Sequence, residues 1–138
     1  MYSLEVGNVI PAQGIGAFSL GMSYNQIMEL TKDFEIEELN NSFIIICADV
    51  KLWIDKDSEK CTQILVQKDF KGKYHGSIGI GSTLADINRL GLEWYEDLDA
   101  YFIRDITGIC FELSDTENAD DIWDEKQMPI AYIAVFKD

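Results

Sequence analysis

The chain carries one sequence phrase twice, and this repeat is the strongest constraint on its fold. Residues 16–30, GAFSLGMSYNQIMEL, and residues 76–90, GSIGIGSTLADINRL, align at a constant offset of 60. Each copy reads as a short alternating apolar strand, a glycine, a hydroxyl residue and then an apolar stripe at helical spacing. Because a chain built from two copies of a small unit usually makes one continuous sheet, we expect the two copies to share a sheet.

The start of a helix is marked in both copies. Ser23 and Thr83 are residue types whose side-chain oxygen accepts from the free N–H groups of a first helical turn. Gln26 and Asp86 follow three residues later, which is the spacing of a capping box. Gly91 is placed to end the second helix.

Six further segments have the apolar content and length of strands. They are SFIIIC at 42–47, VKLWI at 50–54, CTQILVQ at 61–67, AYFIR at 100–104, ICFEL at 109–113 and IAYIAVF at 130–136. The predicted fold class is α+β, an antiparallel sheet from two tandem strand-helix-three-strand repeats with the helices packed on one face. We expect a single domain over 1–138, with one repeat at about 10–70 and the other at about 71–138.

Charge is distributed unevenly along the chain. The formal net charge is −14, and the stretch from Glu93 to Glu125 holds twelve of the 25 acids and one of the 11 bases. Such a field disfavours a nucleic-acid partner, which needs clustered Lys and Arg, and favours a basic protein surface. A purely solubilising role for the acids is the alternative. Residues 114–129 form a long connection within this region, and Trp123 in it is either an interface anchor or part of the core.

Recognisable catalytic and ligand-binding motifs are missing from the sequence. The glycine pattern GKYHGSIGIG at 72–81 lacks the Lys and the acidic ribose partner of nucleotide-binding loops. Three scattered cysteines and the single His75 lack the paired spacing of zinc sites, which favours buried reduced thiols over a zinc site. The sequence therefore predicts no catalytic residue, no metal and no cofactor.

No apolar run reaches the length of a membrane span, and the N-terminal residues lack the pattern of a secretory signal. The sequence therefore predicts a cytoplasmic protein with no membrane partner.

The repeated phrase resembles a module of the beta-lactamase inhibitor protein family and of the small lipoproteins of the outer-membrane barrel-assembly machinery. In those families an I-x-[IL]-G-M-[ST] phrase opens a helix beside an antiparallel sheet. The matching residues are Phe18, Leu20, Gly21, Met22 and Ser23 in the first copy, and Ile78, Ile80, Gly81, Ser82 and Thr83 in the second. The secreted members carry a signal peptide, a lipobox or paired cysteines, and the residue pattern predicts none of these here.

The phrase, the strand GICFEL and the acidity together resemble bacterial immunity proteins of contact-dependent growth inhibition and related toxin systems. This resemblance implies a non-enzymatic antidote that binds a basic toxin domain, often a nuclease, through an acidic surface. An orphan peptide- or ligand-binding module is the alternative, and a carboxylate-dependent enzyme is the least favoured interpretation. The predicted partner-binding residues are Glu93, Trp94, Glu96, Asp97, Asp99, Glu117, Asp120, Asp121, Trp123, Asp124 and Glu125.

Overall fold

A computed structural model of the chain describes residues 7–31, 33–114 and 127–137. These residues form short strands and two short helices. In chain order they are β1 (Val9–Ile10), β2 (Gly14–Ile15), β3 (Phe18–Ser19), α1 (Tyr24–Leu30), β4 (Glu35–Glu38), β5 (Ser42–Cys47), β6 (Val50–Asp55), β7 (Cys61–Gln67), α2 (Leu84–Arg89), β8 (Trp94–Asp97), β9 (Ala100–Ile103), β10 (Ile106–Leu113) and β11 (Ile130–Phe136).

The main sheet has eight strands in the order β4-β5-β6-β7-β11-β10-β9-β8, and all neighbours are antiparallel. Each half of the chain contributes a four-stranded meander. The last strands of the two meanders, β7 and β11, pair at the centre from Gln67↔Tyr132 to Gln63↔Phe136. The first strands, β4 and β8, therefore form the two outer edges of the sheet.

One face of the sheet supplies the main core. A row of directly paired residues crosses five strands on this face: Ile45, Leu52, Ile64, Val135 and Ile109. All five residues are 0% exposed. Because each residue faces the next across the ladder, the row joins the two halves of the chain through continuous apolar contact.

The opposite face carries a second, less deeply buried apolar layer. Its rows include Ile46, Lys51, Leu65 and Ala134 in one register and Ile44, Trp53, Gln63 and Phe136 in the next. Leu65 and Ala134 are buried although they lie outside the main core cluster. Half-buried Trp53 and Phe136 border them. The sheet is therefore apolar on both faces near its centre.

The predicted α+β class is wrong, because the described chain is predominantly antiparallel β. The helices have only 7 and 6 residues, and the predicted three-stranded meanders are four-stranded, since residues 35–38 and 94–97 are also strands. The helices contribute Ile27, Leu84 and Ile87 to the core, but they are too short to form a helical layer over an eight-stranded sheet. Among the described residues, no helix has the length and apolar content needed to cross a membrane.

Both predicted helix caps are confirmed. The Gln26 N–H donates to Ser23 Oγ at 3.2 Å, and the Ser23 N–H donates to Gln26 Oε1 at 2.9 Å. The same reciprocal pair joins Thr83 and Asp86 at 3.3 and 2.9 Å. The repeated phrase therefore codes for one local structure twice, a capped turn of helix, as its hydroxyl residues indicate.

A separate three-stranded sheet, β1-β2-β3, precedes the first helix. It contacts the second half of the chain where the Ala12 N–H donates to the Gly108 carbonyl of β10 at 3.1 Å. Gly108 has φ +82°, and a Cβ placed there would lie 2.5 Å from the Ala12 nitrogen. The second copy of the phrase has an isolated bridge, Tyr74↔Ile78, in place of a strand.

Candidate functional site

The described part of the predicted partner-binding surface lies on one outer edge of the sheet. Glu93, Trp94, Glu96, Asp97 and Asp99 lie on the β8–β9 hairpin or immediately before it, and β8 is the terminal strand. The structure thus brings together residues that sequence reasoning grouped by charge. The other predicted contacts lie outside the described residues: Glu117, Asp120, Asp121, Trp123, Asp124 and Glu125.

Trp94 supports this hairpin from the core side. Its indole N–H donates to Asn88 Oδ1 at 3.0 Å, and its ring meets Tyr101 edge-on at a centroid distance of 5.6 Å. Trp94 is half-buried against the main core, where its strand neighbour across the ladder is Ile103. In the free chain this side chain therefore holds β8 onto the sheet, and part of its ring is accessible at the rim.

The next residue, Tyr95, presents an aromatic ring on the opposite face. It is 45% exposed and stacks on Phe102 with ring centroids 5.5 Å apart and an interplanar angle of 19°. The sequence prediction omitted Tyr95. Strict alternation along WYED would have found it, because a strand that buries Trp94 must turn Tyr95 to the other side.

The tip of the hairpin is a two-residue turn, Leu98 and Asp99, both with positive φ (+51° and +67°). This is the backbone signature of a type I′ hairpin turn, where Asn and Gly are the preferred residues. Leu98 is 93% exposed. A leucine in this position is costly twice over, since its backbone conformation disfavours a branched side chain and its apolar surface remains in water.

Carboxylates surround this exposed leucine. Glu96, Asp97 and Asp99 are exposed and have no ion-pair partner among the described residues. Glu93 forms an ion pair with Arg104, with 3.1 Å between Glu93 Oε2 and Arg104 Nε. Because both side chains are largely exposed, solvent screening leaves this ion pair little stabilising effect. The hairpin therefore presents a compact negative field around an apolar tip.

The other edge strand, β4, was not predicted from the sequence, and it is also acidic. Its residues EIEE are all exposed, and exposed apolar residues lie within and beside it: Phe34, Ile36 and Leu39 at 38%, 45% and 39%. Glu38 is paired with Lys56 at 2.8 Å, and the Lys56 ammonium lies 5.1 Å from the Phe43 ring centroid. Charged residues on an edge strand also oppose unwanted strand pairing, which gives β4 an adequate structural explanation.

A small apolar cleft adjoins this edge. It has a volume of about 250 Å³ and is lined by Tyr24 of α1, by Ile36, Phe43 and Ile54 of the sheet, and by Glu59. Its volume lies just below the range of sites for drug-sized ligands, and it would hold one or two side chains.

The three cysteines are free. Cys47 and Cys61 are buried as predicted, and Cys110 is half-buried. Burial raises the pKa of the Cys61 thiol to about 12 and that of Cys110 to about 11, in the second case with a contribution from Glu112. Since the thiolate is the reactive form, these thiols are poor nucleophiles and poor metal ligands at neutral pH. Within the described ranges, no group of three or more His, Cys, Asp or Glu side chains is placed to hold a metal ion.

No protein-family model, curated protein or solved structure matches this chain.

Proposed function

We propose that this chain is an immunity-type protein that binds and neutralises a basic toxin domain through the β8–β9 hairpin. The observation that carries the proposal is Leu98, an apolar side chain that is 93% exposed at a turn position with positive φ. Neither folding preference nor core packing accounts for a leucine there. A contact made only in a complex would account for it, and strained residues of this kind concentrate at functional positions.

Tyr95 is a residue type that binding hot spots favour, and it is exposed on this hairpin. Its stacking on Phe102 and the exposed Leu98 add aromatic and apolar contact area on the same pair of strands. The surrounding carboxylates Glu96 and Asp97 form a polar rim. In protein complexes a small desolvated apolar centre within such a rim supplies most of the affinity.

The carboxylates set the kind of partner. Exposed like charges on one edge, in a chain of net charge −14, raise the rate of encounter with a positively charged surface and repel an acidic one. The same field disfavours nucleic acid as the direct ligand. A basic toxin domain fits this requirement, and blocking such a domain calls for a surface and no catalytic group.

The test is a comparison of two edges of the same sheet. The chain is immobilised in three forms and used to capture a partner from cells of its natural source. The forms are the wild type, a triple hairpin variant (Glu96→Gln, Asp97→Asn and Leu98→Asn), and a control variant of β4 (Glu35→Gln and Glu37→Gln). The captured protein is then expressed with and without each form, and cell growth is measured. We expect a basic, growth-inhibiting partner that high salt releases, with protection by the wild type and the β4 variant.

Two outcomes would count against the proposal. A captured partner without toxicity removes the immunity role. Full protection by the hairpin variant moves the interface away from β8–β9. Leu98→Asn alone also separates binding from folding, because Asn tolerates positive φ: thermal stability should stay the same or rise by up to ~1 kcal/mol while affinity falls at least about tenfold.

A second candidate function, a peptide-binding module without a toxin partner, is supported by the cleft between α1 and β4. Exposed Ile36 lies on the edge strand beside the cleft, so an extended peptide could pair with β4 and place a side chain between Tyr24 and Phe43. An Ile36→Asp variant discriminates the two functions, because a charge beside the cleft would abolish binding of the peptide in this case, while the hairpin variant would keep it.

A further inference from the structure

A groove of about 560 Å³ is lined by residues that come after the central strand β7 in the chain. Its lining is basic, although the molecule as a whole is acidic. Its walls are the segments 68–73 and 79–80, which join β7 to α2. Three of the chain's 11 basic residues, Lys68, Lys71 and Lys73, lie within six consecutive positions of this wall. One acid, Asp69, lines the same groove.

None of the three lysines forms an ion pair among the described residues, although the chain has more than twice as many acids as bases. The basic side chains that do pair, Lys56, Arg89 and Arg104, lie elsewhere. Asp69 forms no salt bridge with a lysine within the described ranges, and its N–H donates to Asp49 Oδ2 at 3.2 Å, so two carboxylates lie beside the three ammonium groups and leave a net charge of +1. The groove therefore keeps a local positive charge.

The backbone of the same wall is closely packed, and Gly72 is buried. Gly72 and Gly79 are fixed by packing: a Cβ on Gly72 would overlap the Gly7 carbonyl, and one on Gly79 would lie 3.2 Å from the Gly72 oxygen.

The size of the groove and the charge of the whole chain decide the class of ligand. A nucleic acid or an acidic protein would extend over many nanometres or a broad surface, and the net charge of −14 would repel it. A small anion held among the lysines is screened from distant carboxylates, because the Debye length is about 8 Å at physiological salt. A volume of about 560 Å³ is typical of a small-molecule site.

We propose that this groove binds a small phosphate-bearing polyanion, with the ammonium groups of Lys68, Lys71 and Lys73 as donors. A more apolar cleft of about 320 Å³ adjoins the groove through Lys68 and Ile80 and reaches Tyr132, which is 38% exposed. This cleft provides room for an apolar or aromatic group attached to the phosphates. The proposal is independent of the toxin-binding hairpin.

The test uses the full chain and sodium tripolyphosphate as probe, followed by isothermal titration calorimetry and amide NMR. The groove variant is Lys71→Gln with Lys73→Gln. The matched control is Lys51→Gln with Lys60→Gln, which changes the net charge equally at sites outside the groove. We expect saturable one-to-one binding, amide shifts centred on Lys71 and Gly72, and a Kd raised at least about tenfold by the groove variant and less than about twofold by the control.

Three results would overturn the proposal. They are the absence of saturable binding by the wild type, equal weakening by the groove and control variants, and binding of citrate at the groove without binding of tripolyphosphate. A comparison of ATP with tripolyphosphate then assigns the adjoining cleft: tighter binding of ATP, lost in Tyr132→Ala, places the nucleoside there. The amide shifts of the wild type keep the test valid even if a variant folds poorly.

Discussion

Truncation of Ile64 tests the architecture most directly, because this side chain lies at the centre of the row that joins the two halves of the chain. Ile64 is 0% exposed on β7 and directly faces Leu52 of β6 on one side and Val135 of β11 on the other. Ile64→Ala therefore removes apolar contact at the junction of the two meanders, without touching any hydrogen bond of the ladder.

The expected loss of stability follows from the atoms removed. The substitution deletes three carbon atoms, and at about 0.8 kcal/mol for each buried carbon the transfer term alone is about 2.4 kcal/mol. Strands on both sides restrict collapse into the space, so a cavity term adds to this value, and measured Ile→Ala changes span about 2–5 kcal/mol. We expect a loss of about 3–4 kcal/mol from a total stability on the order of 5–15 kcal/mol.

The assay is urea unfolding followed by circular dichroism and tryptophan fluorescence, with Thr62→Ser on the same strand as control. Thr62 is exposed and its hydroxyl donates to the Trp53 carbonyl at 3.4 Å, a bond that serine keeps, so this substitution should change the free energy of unfolding by less than about 0.5 kcal/mol. Both probes should report one transition in every variant, because the row couples the halves. A loss below about 1 kcal/mol in Ile64→Ala, or separate transitions for the two halves, would refute the description of one continuous core.

Three further substitutions or measurements test other parts of the structure. Gly108→Ala should cost at least about 2 kcal/mol, since its Cβ would meet Ala12 at 2.5 Å, whereas Gly76→Ala has open space and should show only the backbone cost of about 1–2 kcal/mol; equal thermal shifts would contradict this. The Thr83 backbone N–H, which donates to the Asp86 carboxylate, is the main cause that lowers the pKa of Asp86 below its ordinary value of 3.8. The ionised carboxylate therefore stabilises the fold above pH 3.8, and this stabilisation is lost as pH falls through the lowered pKa. Asp86→Asn should therefore reduce stability at neutral pH and flatten the acid limb of a melting-temperature profile, and an unchanged limb would contradict the capping role. Cys61, buried and with a pKa of about 12, should resist thiol labelling at pH 8 until urea unfolds the chain, as mass spectrometry would show; rapid labelling of the native chain would contradict its burial.

Local sequence signals predicted the central elements of this fold well. The strands at 42–47, 61–67 and 130–136 have the predicted bounds, and both capping boxes form. These segments are either continuous apolar runs or hydroxyl residues before a helix. Both patterns depend on interactions between residues that are close in the chain, so a short stretch of sequence is enough to predict them.

The edges of the sheet were not predictable in the same way. EIEE at 35–38 and WYED at 94–97 have little apolar content, because an edge strand needs only one neighbour and little burial. Without these strands the repeats appeared to have three-stranded meanders and a larger helical share, which led to the wrong α+β class. The pairing of β7 with β11 is likewise a long-range contact that no local pattern encodes.

The candidate site shows the same limit. Charge alone located the acidic hairpin, since Glu96, Asp97 and Asp99 are clustered in sequence and in space. The turn at Leu98 depends on backbone geometry, and the sequence offered no signal for it beyond a leucine between two aspartates. Tyr95 could have been found from alternation, had β8 been predicted as a strand.

The difference between the two edge hairpins is the reason to place function at β8–β9. Both begin with an acidic edge strand, but the first connects to β5 through Leu39, Asn40 and Asn41, with the Leu39 N–H donating to the Ser42 carbonyl at 2.8 Å. Leu39 is 39% exposed, whereas the shorter second turn forces Leu98 to positive φ at 93% exposure. Edge protection and solubility require only the carboxylates that both hairpins share. The costly leucine is what those roles leave unexplained, so a binding role is best tested there, with β4 as the internal control.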